Sequence, residues 1–358
     1  DFVMFWWHQS AELVRDRKSQ AFGLITTNSI HQTFNRRCLE PFLGNDKKPI
    51  SLTFAVPDHP WVDSADGAAV RIAMTNAEQG NQVGSLVHVI DEQETFEGEQ
   101  IVELRKRNGK ISPNLKLGAN TSEGVHLEAN QNLSNRGFCL FGSGFIVGKE
   151  EAAKLTAASA KGSDKIIHDY RNGRDLTSSP RNVMVIDAYG LSQIDLEERH
   201  PAIYQHLLTT VKPERDNNKR ESRRKLWWIF GEPNKKLREQ LSDLPRYIAT
   251  VETSKHRFFT FLDQSILPDN KLINIALQEA VFLGIVSSVV HITWALTCGG
   301  HLGVGNDPVY VKTRCFETFP FPDLDGKDEL RERLRDLGEN LDAHRKARQA
   351  EHPDLTLT

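Results

Sequence analysis

Between Gly299 and Arg314 the chain carries side chains suited to reading the edges of another polymer: His301, Asn306, Asp307, Tyr310 and Lys312, on a backbone loosened by Gly299, Gly300, Gly303 and Gly305. Their amide, carboxylate, phenol and ammonium groups match the donors and acceptors of adenine, cytosine and guanine edges in a DNA groove. A second polar turn, Arg171-Asn-Gly-Arg-Asp175, holds two guanidinium groups fit for a guanine edge or a phosphate, with Gly173 permitting close backbone approach. Asp175 could equally neutralise Arg174 and make Arg171, Asn172 and Arg174 part of the scaffold. Lys255, His256 and Arg257 precede a phenylalanine pair, which fits a strand end presenting charge to DNA or an ordinary solvated turn. Trp61 sits between two strand-like runs, either as a core or rim aromatic or as a flat surface for a base. Asn28 and Ser29 follow a strand-like run, where they cap a helix or face a ligand crevice. Arg36, on that helix, either reaches phosphate or solvates the helix face.

Catalytic patterns are absent from the sequence. Leu140-Phe-Gly-Ser-Gly144 has the glycine spacing of a nucleotide-cofactor turn, but such a turn needs a helix straight after it, and Phe145-Ile-Val147 is strand-like. A hairpin turn is the plainer reading. No P-loop, His-Glu-x-x-His or ordered Ser/His/Asp pattern occurs. Cys38, Cys139, Cys298 and Cys315 form no Cys-x-x-Cys pair, so neither a metal site nor a disulfide framework is expected, and free thiols suit a reducing cytoplasm.

A net charge of -3 does not itself point to a polyanion partner, so distribution carries the argument. Lys212 to Lys236 is basic and centred on Trp227 and Trp228, while acids gather at Asp91 to Glu99 and beyond Asp323. The basic run either tracks phosphates or is an exposed helix whose indoles reach into the core. The longest apolar stretch, Ala280 to Leu296, is interrupted by serines and His291, so a membrane span is not expected.

The elements that must position these groups are partly legible. Apolar spacing predicts an amphipathic helix over residues 2–18 carrying Phe2, Phe5, Trp6, Ala11, Leu13 and Val14. A strand follows at 21–27, then a helix from Asn28-Ser29 to about Leu43, and strands at 50–56, 67–74 and 84–90 that close a mixed sheet. The polar stretch from Asp91 to about Asn135 reads as a linker or a layer of irregular structure, and a domain boundary is expected there. Beyond it the pattern predicts a hairpin at 137–147, helices at 149–160 and 201–211, and strands at 182–187, 246–251 and 272–277. A buried helix fits 278–296, whose β-branched content leaves room for strand, and a charged, solvated or partner-binding helix is expected over 327–349.

Taken together, Asp1-Phe-Val-Met-Phe-Trp-Trp-His8, Phe22-Gly-Leu-Ile-Thr-Thr-Asn-Ser-Ile30, Val56-Pro-Asp-His-Pro-Trp61 and Asp66-Gly-Ala-Ala-Val-Arg-Ile-Ala73 resemble the second half of the methylation domain in MmeI-like (type IIG/IIL) DNA adenine-N6 methyltransferases. Tyr170-Arg-Asn-Gly-Arg-Asp-Leu176, Pro245-Arg-Tyr-Ile248, Lys255-His-Arg-Phe-Phe259, Leu283-Gly-Ile-Val-Ser-Ser288 and Phe319-Pro-Phe-Pro322 resemble the target-recognition domain of that family, and more loosely TaqI-like specificity domains.

The resemblance implies an α/β fold: the C-terminal part of a class I S-adenosylmethionine-dependent methyltransferase sheet over residues 1–125 with a linker, an α+β target-recognition domain over 126–324, and a helical tail over 325–358. It implies adenine methylation in double-stranded DNA within a restriction-modification or phage-defence system, with the base flipped out and Trp61 placed to stack on it. The family's glycine-rich cofactor motif and Asn-Pro-Pro-Phe/Tyr motif do not occur here. S-adenosylmethionine is therefore expected in a full-length enzyme and not fully on this chain, whose expected partners are duplex DNA, a methyltransferase N-terminal half and, in some arrangements, a fused nuclease. The alternative is a DNA-specificity module without chemistry that recruits a separate methyltransferase or nuclease subunit.

Overall fold

The computed structural model describes residues 2–31, 34–44, 47–61, 70–94, 100–118, 124–159, 162–302, 307–354 and 356. It divides into two compact units, Asp1–Val125 with Thr297–Val309, and His126–Leu296 with Tyr310–Thr358. Both mix helix with sheet.

In the first unit, α1 (Val3–Arg15) turns Met4, Trp7, Ala11 and Val14 inward at intervals of three and four, the stripe of an amphipathic helix. Phe2, Phe5, Trp6 and Leu13, expected on the apolar face, are exposed instead, with the first three rings packed on one another. Trp7 Nε1 donates to Thr75 Oγ1 at 3.4 Å and so ties the helix to the sheet.

That sheet contains β1 (Ala21–Thr27), β2 (Ile50–Pro60), β3 (Arg71–Gln79), β4 (Gly84–Glu94) and β5 (Gln100–Gly109) in the order β1-β3-β2-β4-β5. β2 and β4 run parallel and the other neighbours antiparallel, so the sheet is mixed as the pattern predicts.

Two expectations fail here. The helix predicted from Asn28 to Leu43 is broken into 3-10 turns at Asn28–His31 and Asn35–Cys38 and a short α2 (Glu40–Leu43). Asn35 Nδ2 donates back to Ser29 O at 3.0 Å, a local bond that competes with the helical ladder. Pro41 fits only a helix first turn and starts a new one. The stretch read as linker contains β5, which pairs with β4 along most of its length. Almost all of β5 is exposed, including Arg105, Lys106 and Arg107, so no apolar alternation marks it in the sequence.

The second unit opens with β6 (Ser134–Arg136), β7 (Ile146–Gly148), α3 (Lys149–Ala157), β8 (Ile167–Arg171), α4 (Gly173–Thr177) and β9 (Val183–Ile186). Helices α5 (Gln193–Arg199), α6 (Pro201–Thr210), α7 (Lys212–Asp216), α8 (Glu221–Lys225) and α9 (Lys235–Leu241) follow, then β10 (Arg246–Val251), β11 (Thr260–Asp263), β12 (Ile266–Pro268) and β13 (Leu272–Ile275). Two sheets result, β11-β10-β13-β6 and β12-β8-β9-β7.

The hairpin expected over 137–147 does not form, because β6 and β7 belong to different sheets. Phe138 N donates to Pro268 O at 2.8 Å and Cys139 N to Glu232 O at 3.3 Å, so this run finds its backbone partners far away in sequence. The basic stretch resolves toward the core: Trp227 and Trp228 are buried, and so is Arg215, which donates to the carbonyls of Leu140 at 2.8 Å and Ile229 at 3.0 Å.

The apolar run after residue 278 forms two helices, α10 (Ala280–Val286) and α11 (Val289–Cys298), bent by 58°. No single helix among the described residues is long and apolar enough to cross a membrane. After α11 the chain enters the first unit as β14 (Gly300–Leu302) and β15 (Asp307–Val309), an antiparallel pair, then returns through α12 (Lys312–Cys315) to α13 (Asp328–Glu351).

α13 is docked, although its sequence is highly charged. A Cβ on Gly338 would lie 2.1 Å from Ala280 O, so α10 and α13 meet backbone to backbone. Asp342, buried, accepts from Thr260 Oγ1 at 2.8 Å and Phe261 N at 2.9 Å. Gly338→Val is expected to force the helices apart and cost about 1–3 kcal/mol by overpacking. Denaturant unfolding checks this, and an unchanged midpoint would show that the close approach is not required.

Candidate nucleic-acid interface

β8 ends at Arg171, where the backbone turns through Asn172 into α4. Asn172 Oδ1 accepts from Asp175 N at 3.1 Å while Asp175 Oδ2 accepts from Asn172 N at 2.9 Å, a reciprocal cap that fixes the turn. Asp175 does not neutralise Arg174. It accepts from Arg181 Nε at 2.9 Å and Nη2 at 2.8 Å, which leaves Arg174 exposed on α4. Burial alone would raise the Asp175 pKa, but the Arg181 guanidinium and the backbone donors hold it below its ordinary value.

The same end of the unit receives β10. A Cβ on Gly173 would lie 2.9 Å from Val251 Cγ1, so the α4 turn is packed against the last residue of β10. Two segments about eighty positions apart in sequence are thus adjacent. Beyond Val251 the turn exposes Lys255 and His256, and Ser254 Oγ donates to His256 O at 2.8 Å to hold it closed.

Arg257 points inward. Its guanidinium donates to Thr250 Oγ1 at 3.0 Å and to the carbonyl of Val251, and lies 5.2 Å from the Tyr310 ring centroid. Burial pulls its pKa down. These contacts make it a strut that shapes the turn.

Register adds two cations the sequence reading missed. Val251 pairs with Leu272 and Ile273 with Arg136, while Pro268 pairs with Arg171, so β6, β8, β10 and β12 finish where β13 starts. Arg136 and Lys271 stand there, largely exposed, and both bind the buried carboxylate of Glu252, Lys271 at 3.1 Å. The signal for Lys271 was its place in Pro268-Asp-Asn-Lys271, a turn sequence. Arg136 gave none. The strand ends therefore gather Arg136, Arg171, Arg174, Lys255, His256 and Lys271 around carboxylates that are already hydrogen-bonded, a set able to take phosphate oxygens and guanine edges.

The glycine-rich stretch is divided between environments. His301 in β14 is half-buried and Asp307 in β15 exposed, both in the first unit, while Asn306 lies outside the described residues. Tyr310 is fully buried in the second unit, its hydroxyl 2.9 Å from His291 Nε2. Lys312 donates to Glu317 Oε1 at 2.6 Å. Burial opposes the Glu317 charge, yet Lys312 and His126 keep its pKa low. Neither Tyr310 nor Lys312 presents an unengaged polar head.

In the first unit Trp61 directly follows β2, half-exposed, its backbone N–H donating to Val70 O at 2.9 Å. Asn28 is buried and donates to Asp58 Oδ1 at 3.0 Å. Ser29 Oγ lies 2.6 Å from Thr27 Oγ1, and Arg36 is buried with Glu40 at 3.9 Å. Among the described residues no His, Cys, Asp and Glu group is arranged to hold a metal.

A family model described as MmeI, target recognition domain, matches residues 99–323, well over half of the chain. The solved structure of the Type IIL restriction-modification enzyme MmeI in complex with DNA is similar over 100% of this chain and 46% of that one, with 19% identity and a TM-score of 0.71. The chain therefore spans about half the length of that protein, and the likeness shows the fold. The crystal structure of the type IIG restriction endonuclease BpuSI aligns over 89% of this chain and 42% of that one, at 12% identity and a TM-score of 0.35. No curated protein matches the chain.

The Asp175 cap can be tested directly. A carboxylate whose folded pKa is depressed adds stability above its unfolded value and loses it as pH falls through the folded one. Asp175→Asn is expected to cost about 1.5–3 kcal/mol near neutral pH, and the loss should shrink toward acid until variant and parent converge. Unfolding curves across pH check this; a difference constant with pH would place the cost elsewhere.

Proposed function

The chain belongs to the MmeI target-recognition family, and from that premise we propose that it is the DNA-specificity region of an adenine-N6 DNA methyltransferase of a restriction-modification or phage-defence system. In this reading the second unit reads duplex sequence and the first unit forms the closing part of the methylation domain. The observation that carries it is the coincidence of the family match over 99–323 with the strand ends that bring Arg171, Arg174 and Lys255 to one rim.

Arg171 and Arg174 take base edges or phosphates, and Lys255, His256, Arg136 and Lys271 add sequence-independent attraction. Trp61 replaces the lost stacking of an extruded adenine. The exposed rings of Phe2, Phe5 and Trp6 supply an apolar face for the methyltransferase half that performs the chemistry, fused or separate.

S-adenosylmethionine is assigned to that half. The one cofactor-like turn here does not fit it: a Cβ on Gly144 would meet Thr210 Oγ1 at 2.5 Å, so protein already fills the close approach a ligand would need. The segment after it is a 3-10 turn leading into β7, with no helix N-terminus aimed at a ligand.

Selection of bound sequences from randomised duplex DNA, with a salt titration, tests the proposal. A short enriched motif and affinity falling steeply with salt are expected. Arg171→Ala should relax one position of the motif by about 1–3 kcal/mol, and Lys255→Ala should lower affinity evenly across sequences. Salt-sensitive binding without enrichment would overturn sequence readout. In an assembled, active methyltransferase, Trp61→Ala should weaken binding or turnover by about 1–3 kcal/mol, and unchanged kinetics would remove it from the site.

A further inference from the structure

Four basic side chains from four separate elements of the first unit lie within electrostatic reach of one another. His31 closes the first 3-10 turn, Arg36 sits on the second, Lys116 on the turn after β5 and His301 on β14. The rings of His31 and His301 stand nearly at right angles with centroids 6.5 Å apart. The Lys116 turn is built rigidly: Ser112 N donates to Lys116 O at 2.9 Å, Lys116 N to Asn114 Oδ1 at 3.1 Å, and Ser112 Oγ to Gly118 O at 3.0 Å.

Among the described residues, Asp58 and Glu40 are the carboxylates recorded beside the group. Asp58 faces His31, but its Oδ1 already accepts from Arg71 Nε at 2.7 Å and Asn28 Nδ2 at 3.0 Å. Glu40 lies 3.9 Å from Arg36, and Cys298 faces Lys116. His31 Nδ1 is buried with no hydrogen-bond partner among the described residues.

We propose that His31, Lys116 and His301, backed by the buried charge of Arg36, form an anion site that grips a backbone phosphate of the bound DNA and takes up protons as it does so. The site rests on the reading of this chain as a DNA-specificity region and adds to it a named phosphate contact in the first unit.

The electrostatics set the sign. Burial first, then His301, Lys116 and Arg36, push His31 down to about 4, and burial followed by Lys116 and Arg36 lowers His301. Both imidazoles are therefore neutral in the free protein near pH 7. A phosphate supplies the missing counter-charge, raises both pKa values and draws protons from solvent. Binding coupled to proton uptake strengthens as pH falls, by about tenfold per pH unit for each proton fully linked.

The test is duplex DNA binding by the full chain at constant ionic strength, from about pH 8 to about pH 6, the range in which histidine linkage is read. Affinity of the parent should rise toward acid, and His301→Gln should flatten the slope. Lys255→Ala, altered on the second unit, should lower affinity at every pH and leave the slope intact. Histidine NMR titrations with and without DNA give a second readout, in which the pKa values of His31 and His301 should rise on binding.

No duplex binding at any pH sinks the DNA reading and this site with it. Binding whose pH slope survives His301→Gln sinks the site alone. If inorganic phosphate shifts the two histidines while the slope survives the substitution, the cluster takes a free anion and its assignment to DNA is overturned.

Discussion

The buried carboxylate of Glu252 is the interaction on which the second unit's functional edge depends. Its side chain binds Arg136 and Lys271, while its backbone N–H donates to Lys271 O and its carbonyl accepts from Tyr310 N. One residue therefore ties the end of β6, the end of β10, the start of β13 and the returning segment at Tyr310 into one rim. The arrangement also solves an electrostatic problem. Five cations crowded at one edge would repel one another, and interior carboxylates at Glu252 and Asp175 stabilise their bases while the charged heads of Arg174 and Lys255 remain in water.

The first unit follows a different logic. Its sheet is anchored by Trp7, and its polar centre, Asp58, is bonded to Arg71 and Asn28. Asn28 and Arg36 are thereby interior residues that set the position of their neighbours, His31 above all. Where the second unit balances its cations with buried acids, the first sets its basic cluster beside Asp58, already bonded to Arg71 and Asn28, and Glu40, 3.9 Å from Arg36.

How much of this was legible follows from which forces write themselves into local sequence. β10 and β13 were readable as short continuous apolar runs, and α6 and α13 by their apolar or charge spacing. β5 was not, because an edge strand exposed on both sides needs no alternation. The break between Asn28 and Leu43 was decided by Asn35 reaching back to Ser29, a competition that spacing does not reveal. The site divided the same way: the exposed cations of the Arg171–Arg174 turn and of Lys255 stood out by residue type. The burial of Tyr310 and Arg257, the Lys312–Glu317 pair and the arrival of Arg136 and Lys271 depend on strand register between distant segments.

The excursion of Thr297–Val309 into the first unit has a consequence for modular exchange. The polypeptide passes between the units at residues 125–126, 296–297 and 309–310, so the second unit is not a bead threaded on a single cord. A chimera that swaps everything after the first passage would import a foreign β14–β15 pair against the native Lys116 turn. A graft with compatible joints must instead carry two insertions, keeping Thr297–Val309 with the recipient. The second unit can then be exchanged without also replacing the ribbon that completes the first.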